Sequence, residues 1–124
     1  MCMNPKFRHV KILSSNLVVK RFKRVVELNY QDCDFHLRQM AQNMGISERQ
    51  LQRKLKLLTG DTPSEYVRSF RLSKSLELLL AGNSVHDTSR AVGFSSQAYF
   101  ASCFKAQYGR TPTEYRDRRT NLPQ

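Results

Sequence analysis

The sequence predicts an all-α fold made of two helix-turn-helix subdomains that are joined by one long linker helix. Apolar residues recur at i, i+4 and i+7 between polar residues, which is the spacing of a helix with one buried face. Glycines and Thr-Pro pairs separate these segments and suit helix ends and helix starts. The second half of the chain also repeats the pattern of the first half, which indicates two copies of one supersecondary unit.

The chain divides into four predicted segments. The first shows no clear helical period, so we expect an irregular arm or a linker there. The second and fourth are the helix-turn-helix subdomains, the third is the linker helix, and a basic C-terminal end closes the fourth. In order, the segments are residues 1–13, residues 14–61, residues 62–82 and residues 83–124.

The first subdomain opens with a helix predicted from Ser14 to Tyr30. Asp32-Cys33-Asp34 is expected to be a turn that supplies a cap for the next helix, because negative charge suits a helix N-terminus. That next helix is predicted from Phe35 to Met44, and Gly45 ends it.

The last helix of this subdomain begins in the stretch SERQLQR, where Ser47 and Gln50 match an S-x-x-Q capping box. Leu51, Leu55 and Leu58 lie at i, i+4 and i+7 and therefore form one apolar face. The polar residues on its other faces are Arg49, Gln50, Gln52, Arg53 and Lys56.

The linker helix has a clear start and stop. Thr62 suits the cap, Pro63 the first helical position, and Glu65 can bond back to the cap. The helix is expected to run to Leu80 and to stop at Ala81-Gly82-Asn83. At 1.5 Å per residue its length is about 27 Å.

The internal repeat covers both subdomains. An offset of 48 aligns Gly45 with Gly93, and an offset of 49 aligns Ser47 with Ser96, because Ser95 is one extra residue. The helix-start motif TPSEY recurs as TPTEY. In a helix-turn-helix the second helix is the recognition helix, which lies in the major groove of DNA. Major-groove segments recur about every 34 Å along one side of B-DNA. We therefore expect the linker helix and the units that it joins to place two recognition helices in successive segments.

The charge balance favours a polyanionic partner. The chain has 124 residues, with 21 Lys or Arg against 10 Asp or Glu, a formal net charge of +11 and a pI near 10.1. That pI is typical of nucleic-acid-binding domains, although a membrane surface or an acidic protein would also attract such a chain. The basic residues are spread along the chain, which favours a folded binding face over a polybasic tail.

Several classes of protein have little support. No apolar run is long enough to cross a membrane, and the first residues lack the apolar core of a signal peptide. Cys2, Cys33 and Cys103 form no CxxC, so we expect neither a disulfide framework nor a metal site, and free thiols fit the cytoplasm. Without a phosphate loop, a metal cluster or a nucleophile–base pair, we expect no enzyme activity and no cofactor.

Three motifs resemble the DNA-binding domain of the AraC/XylS transcription regulators. They are MAQNMGISERQLQRKLK, TGDTPSEYVRSFRL and AVGFSSQAYFASCFKAQYGRTPTEYR, and the resemblance covers about residues 15–117. It implies a bacterial regulator with seven helices in two subdomains. It also implies binding to double-stranded promoter DNA and activation through contact with RNA polymerase.

The resemblance also implies roles for individual residues. Base-reading positions fall on Arg49, Gln52 and Arg53 in the first unit, and on Gln97, Ala98, Ala101 and Ser102 in the second. Contacts to the DNA backbone are expected from Ser47, Gln50, Lys56, Ser96 and Lys105.

The second unit departs from the family pattern. Ser102 stands where Arg is common, and Thr88 and Ser89 stand where Ile and Ala are favoured. We therefore expect the first unit to carry most of the hydrogen-bonded base readout. The side chains of Thr88 and Ser89 are expected to hydrogen-bond to the i−4 carbonyls or to neighbours.

Two alternatives remain on the sequence alone. One is a basic helical module that binds a partner protein, and the other is a non-specific nucleic-acid binder. We expect a monomer in isolation, since no coiled-coil seam is visible. If the chain is the output part of a longer parent, we expect that parent to be able to dimerise through a missing upstream sensory domain.

Overall fold

The structure is a computed structural model that describes the backbone of residues 5–120 and the side chains of residues 17–117. Within that range the chain forms seven α-helices and no strand, which confirms the predicted all-α class. The helices are α1 (Pro5–Asn29), α2 (Leu37–Met44), α3 (Glu48–Thr59), α4 (Pro63–Leu80), α5 (Val85–Ala91), α6 (Gln97–Tyr108) and α7 (Pro112–Thr120).

Helix α1 begins earlier than its periodicity predicts. The expected irregular arm is wrong for residues 5–13, which are helical, while residues 1–4 lie outside the described backbone. Pro5 suits the first helical position, because its missing N–H has no partner there in any case. No Gly or Pro follows before the end of the helix, so nothing in the chain interrupts it.

The chain folds into two compact units. Unit 1 comprises residues 1–29 and 35–66, and unit 2 comprises residues 30–34 and 67–124. The long helix is therefore not a separate segment, because its first turn belongs to unit 1 and the remainder to unit 2. Leu72 and Leu79 of α4 are buried in the core of unit 2, where their burial stabilises this stretch.

Unit 1 is a bundle of α1, α2 and α3. Phe22, Leu51 and Leu55 are fully buried in it, and the ring of Phe22 meets that of Tyr66 edge to face at 5.3 Å. Tyr66 therefore packs against the core of unit 1. Burial is also the larger cause of a raised pKa for the Tyr66 phenol, and the nearby carboxylate of Glu27 raises it further.

The turn before α2 differs from the prediction. Helix α2 begins at Leu37 with His36 as its N-cap, so Asp32-Cys33-Asp34 does not cap it. Instead the Oδ1 atom of Asp32 accepts a hydrogen bond from the Asp34 N–H at 2.9 Å, which closes a turn of its own. At the other end Gly45 takes the left-handed conformation with φ 71°, as its position in the turn predicts.

Unit 2 has an aromatic core. The rings of Phe94, Phe100 and Phe104 follow one another at 5.1 and 5.8 Å, and Tyr108 and Tyr115 both contact Phe104. Phe94 belongs to this core, and Tyr115 packs against it. Burial raises the pKa of Tyr108, partly offset by a hydrogen bond with Gln107.

None of the helices in the described part of the chain combines the length and the apolar character that a membrane span requires.

Candidate nucleic-acid interface

The start of α3 is held by the predicted capping box. The Oγ atom of Ser47 accepts from the Gln50 N–H at 3.1 Å, and the Oε1 atom of Gln50 accepts from the Ser47 N–H at 3.3 Å. Both oxygens are thus occupied by the cap. The Ser47 hydroxyl proton and the Gln50 amide protons are still donors that a phosphate oxygen can accept.

One face of α3 is buried and the opposite face is exposed. Leu51 and Leu55 are fully buried, whereas Leu58, expected on the same face, lies at its edge and is 38% exposed. Arg49, Gln52, Arg53 and Lys56 are all exposed, as the sequence predicts. Because Arg49, Arg53 and Lys56 are spaced at i, i+4 and i+7, they form one cationic stripe.

This cationic stripe has no acidic partner among the described side chains. In the part of the chain whose side chains are described, no ion pair involves Arg49, Arg53 or Lys56. The described ion pairs lie elsewhere, between Arg24 and Glu27 and between Arg116 and Asp117. The stripe is therefore available to an anionic partner.

A shallow concave surface lies along this side of unit 1. Four residues predicted to contact DNA line it, and so do three others, Lys54, Leu57 and the cap residue Thr62. Leu57 is 85% exposed, the highest value among the exposed large apolar residues. We did not predict from the sequence that Leu57 is exposed. The available signal was its position, because Leu57 falls outside the i, i+4, i+7 spacing of Leu51, Leu55 and Leu58.

Helix α6 is the counterpart of α3 in unit 2. Ser96 caps it by accepting from the Tyr99 N–H at 3.1 Å, and Phe100 and Phe104 bury its inner face. The exposed residues predicted to reach DNA are Gln97, Ala98, Ser102 and Lys105. Ala101 is partly buried rather than open, because it lies at the flank of the helix.

The exposed face of α6 is nearly neutral. Where α3 carries Arg49 and Arg53, α6 carries Ala98 and Ser102, and Lys105 alone matches the cation at Lys56. The charge of the units follows the same trend. Unit 1 has 12 Lys or Arg and 4 Asp or Glu, a net charge of +8, whereas unit 2 has 9 and 6, a net charge of +3.

Tyr99 is a polar group on α6 that we did not predict. It is 52% exposed, its hydroxyl accepts from an Nη atom of Arg68 at 3.5 Å, and its ring lies 6.0 Å from that of Phe94. In the sequence Tyr99 stands out only as part of the family motif. Its hydrogen bond to Arg68 joins residues 31 positions apart, and helical spacing does not reveal such a contact.

Thr88 and Ser89 are both fully buried on α5. Ser89 donates to the carbonyl oxygen of His86 at 2.8 Å, so its hydroxyl is bonded as expected, but at i−3 and not at the predicted i−4. The expectation is wrong for Thr88, whose Oγ1 atom has no hydrogen-bond partner among the described residues. This hydroxyl is therefore buried without a hydrogen bond, which costs free energy.

A small acidic cluster lies in the segment of unit 2 that follows α1. Ligand atoms of Asp32, Cys33 and Asp34 lie within 4.8 Å of one another, and all three residues are exposed. Cys33 and Cys103 are free thiols. Exposed acidic residues commonly gather in this way without a metal ion, so the cluster does not change our expectation that the chain has no metal site.

Comparison with known protein families agrees with this geometry. A family model described as a helix-turn-helix domain matches residues 40–118, which include α3 and α6. The chain is 32% identical over 110 residues to histidine kinase P4 of Formosa agariphila, and the match covers 88% of this chain and 8% of the kinase. The chain spans less than two thirds of the length of the curated relatives that it matches.

Solved structures share this fold. A transcriptional regulator of Chromobacterium violaceum, described as having an AraC-type DNA-binding domain, is 28% identical with a TM-score of 0.77. That match covers 90% of this chain and 99% of the other. The DNA-binding domain of the global transcriptional factor AdpA, solved in complex with a target DNA, is 25% identical with a TM-score of 0.76, covering 86% and 96% of the two chains.

Proposed function

Because this chain belongs to the AraC-type family of helix-turn-helix transcription regulators, we propose that α3 is its principal reader of promoter DNA. DNA binding and regulation of transcription are the function of the family. The assignment of base contacts to particular residues, and the unequal roles of the two units, are our proposal.

The cationic stripe of α3 carries this proposal. Arg49 and Arg53 are exposed and unpaired within the described chain, and they are one turn apart on the face opposite Leu51 and Leu55. The guanidinium groups suit the O6 and N7 acceptors of guanine, and the amide of Gln52 suits adenine. Lys56, one turn further along, contacts a phosphate in this arrangement.

The capping residues of α3 contact the DNA backbone in this proposal. Ser47 and Gln50 keep donor protons after forming the cap, and the N-terminal end of a helix favours an anion. A phosphate placed there fixes the position of α3 along the groove without reading the sequence.

Helix α6 contributes shape and apolar contacts in our proposal. Ala98 offers a methyl group to thymine, and Gln97 and Ser102 offer weaker polar contacts. Ala101 is partly buried and contributes less than we expected. Ser96 and Lys105 contact the backbone, so α6 adds affinity with less discrimination between bases.

We further propose that both units read one duplex in successive major-groove segments, as the internal repeat predicts. Promoter activation through RNA polymerase, and a monomeric state for the isolated chain, complete the proposal. In-vitro transcription from a promoter that contains the bound sequence, with and without the protein, tests the activation. Analytical ultracentrifugation tests the oligomeric state.

The experiment that tests base reading is selection of bound sequences from a random duplex pool, followed by anisotropy titration of the winner across a salt series. Two enriched elements about one helical turn apart support reading by both units. A single short element means that α6 only holds the backbone. No enrichment, with binding that disappears at moderate salt, overturns the proposal in favour of a basic interaction module.

A pair of arginine variants distinguishes base contacts from phosphate contacts. Arg53→Ala is expected to cost about 1–3 kcal/mol on the selected duplex and much less on random DNA. Arg24→Ala removes the same charge from an exposed site on α1 and serves as the control, with a small effect that does not depend on sequence. If Arg53→Ala weakens both duplexes equally, Arg53 contacts a phosphate and not a base.

A further inference from the structure

Leu57 is the most exposed apolar residue of α3, and it lies outside the family motifs. It is 85% exposed, whereas Leu51 and Leu55 of the same helix are fully buried. Leaving a leucine this open on a folded surface gains nothing from the hydrophobic effect in the free protein. The side chain is therefore available for burial against a partner.

The surroundings of Leu57 indicate the chemistry of that partner. Arg53, Lys54 and Lys56 are exposed next to it in sequence, and all three line the same concave surface as Leu57. Three cations around one apolar side chain favour a partner that is anionic at its edges and has an apolar group between them. Duplex DNA has this pattern, because phosphates border a major groove in which thymine carries a methyl group.

The position of Leu57 along α3 agrees with such a contact. It lies one turn beyond Arg53, a rise of about 6 Å, which corresponds to about two base-pair steps of 3.4 Å. Gln50, Arg53 and Leu57, at i, i+3 and i+7, lie along one side of the helix and line the same surface. A base contacted by Leu57 therefore lies within a few steps of the base that Arg53 reads.

We infer that Leu57 is a specificity-determining residue that packs against a thymine methyl group in the element of the DNA site read by unit 1. This inference rests on the proposed function, and it adds an apolar discrimination to the polar contacts of Arg49, Gln52 and Arg53. The equivalent position in α6 is Ala106, whose side chain is too short to make the same contact. A leucine contact at this helix position therefore belongs to unit 1, and the contact proposed for Ala98 of α6 is made from a different position.

The test uses the duplex obtained by sequence selection, with each thymine replaced in turn by deoxyuridine, which lacks only the methyl group. For the unaltered protein, one or two such replacements are expected to weaken binding about fourfold, the effect of one buried methyl group. Leu57→Ala is expected to bind the thymine duplex about tenfold more weakly. It should then be insensitive to the same deoxyuridine replacements.

Two further variants make the outcome decisive. Leu57→Met keeps an apolar side chain of similar size and is expected to restore most of the affinity and the sensitivity to deoxyuridine. Leu28→Ala removes a leucine that is 66% exposed on α1 and should leave both unchanged. Thermal melting of each variant checks that the fold is intact, as expected for exposed positions.

The results separate this inference from the proposed function. If a sequence is enriched but Leu57→Ala retains full affinity and the same deoxyuridine profile, the inference is wrong and the base reading by arginine stands. An equal loss on selected and random duplexes also overturns it, because a methyl contact depends on sequence. If no sequence is enriched, the proposed function fails, and the inference fails with it.

Discussion

Gly93 lies directly against the carbonyl oxygen of Tyr30 in unit 2, so close that a Cβ atom on Gly93 would overlap that oxygen. The same carbonyl accepts a hydrogen bond from Nε of Arg71 at 2.8 Å, and an Nη atom of Arg71 donates to the Asp32 carbonyl at 2.9 Å. Burial lowers the pKa of Arg71, while Cys33 and Asp32 raise it. The segment after α1 is thus held in unit 2 by its backbone oxygens.

We predict that Gly93→Ala destabilises the protein by about 3 kcal/mol or more. Gly93 has a φ of 100°, which costs an alanine about 1–2 kcal/mol by itself, and the overlap with the Tyr30 carbonyl adds to this. Gly109→Ala is the control, since its φ is 75° but nothing lies within 4 Å of the added Cβ. Urea denaturation measures both, and equal losses for the two variants would contradict the close approach at Gly93.

Thr88→Val should stabilise the protein by about 1 kcal/mol or more. The substitution keeps the shape of the side chain and removes a buried hydroxyl that has no partner among the described residues. Ser89→Ala is the matched control, because it removes a hydroxyl that is bonded to the His86 carbonyl and should be neutral or slightly destabilising. A loss of stability in Thr88→Val, measured by thermal and urea unfolding, would mean that the hydroxyl is satisfied.

Backbone amides are expected to exchange faster in residues 84–109 than in residues 35–60. The reason is the uncompensated hydroxyl of Thr88, which lowers the stability of the helix-turn-helix of unit 2. Hydrogen exchange followed by mass spectrometry measures the difference, and Thr88→Val should narrow it. Equal protection of the two segments in the unaltered protein would contradict the predicted difference in amide exchange.

Adding a cation to α6 should strengthen DNA binding. Ser102→Arg places a guanidinium at the exposed position that corresponds to Arg53 of α3, and we expect an affinity gain of about 1 kcal/mol with a steeper salt dependence. Anisotropy titration of the selected duplex across a salt series measures both. The control is Ser73→Arg, which adds the same charge at an exposed position of α4. An equal gain from both variants would mean that α6 does not face the duplex.

Stability should decline at alkaline pH, above about 10. The pKa values of Tyr66 and Tyr108 are raised from 10.0 in the folded state. Their contribution is therefore complete below the unfolded pKa and is lost as the pH rises through the folded values. In a pH titration followed by tyrosinate absorbance, part of the signal should appear above the pKa of an ordinary tyrosine. Tyr66→Phe and Tyr108→Phe should each reduce that part of the signal. A single transition at the unperturbed pKa would contradict the burial of these phenols.

The sequence by itself determined the features that arise from neighbouring residues. The capping box of Ser47 and Gln50, the start of α4 at Thr62-Pro63 and the left-handed turn at Gly45 all formed as predicted. Each depends on hydrogen bonds or backbone conformations within about one turn of the chain. For the same reason the exposed face of α3 followed from the spacing of its leucines.

Only the tertiary structure decided the features that depend on residues far apart in the chain. It assigned residues 30–34 to unit 2 and divided α4 between the units. It brought Gly93 against Tyr30, 63 positions earlier in the chain. It also left the buried Thr88 hydroxyl without a hydrogen-bond partner among the described residues. Spacing along a helix cannot reveal these contacts, because side-chain packing and the competition for each carbonyl are settled only when separate helices meet.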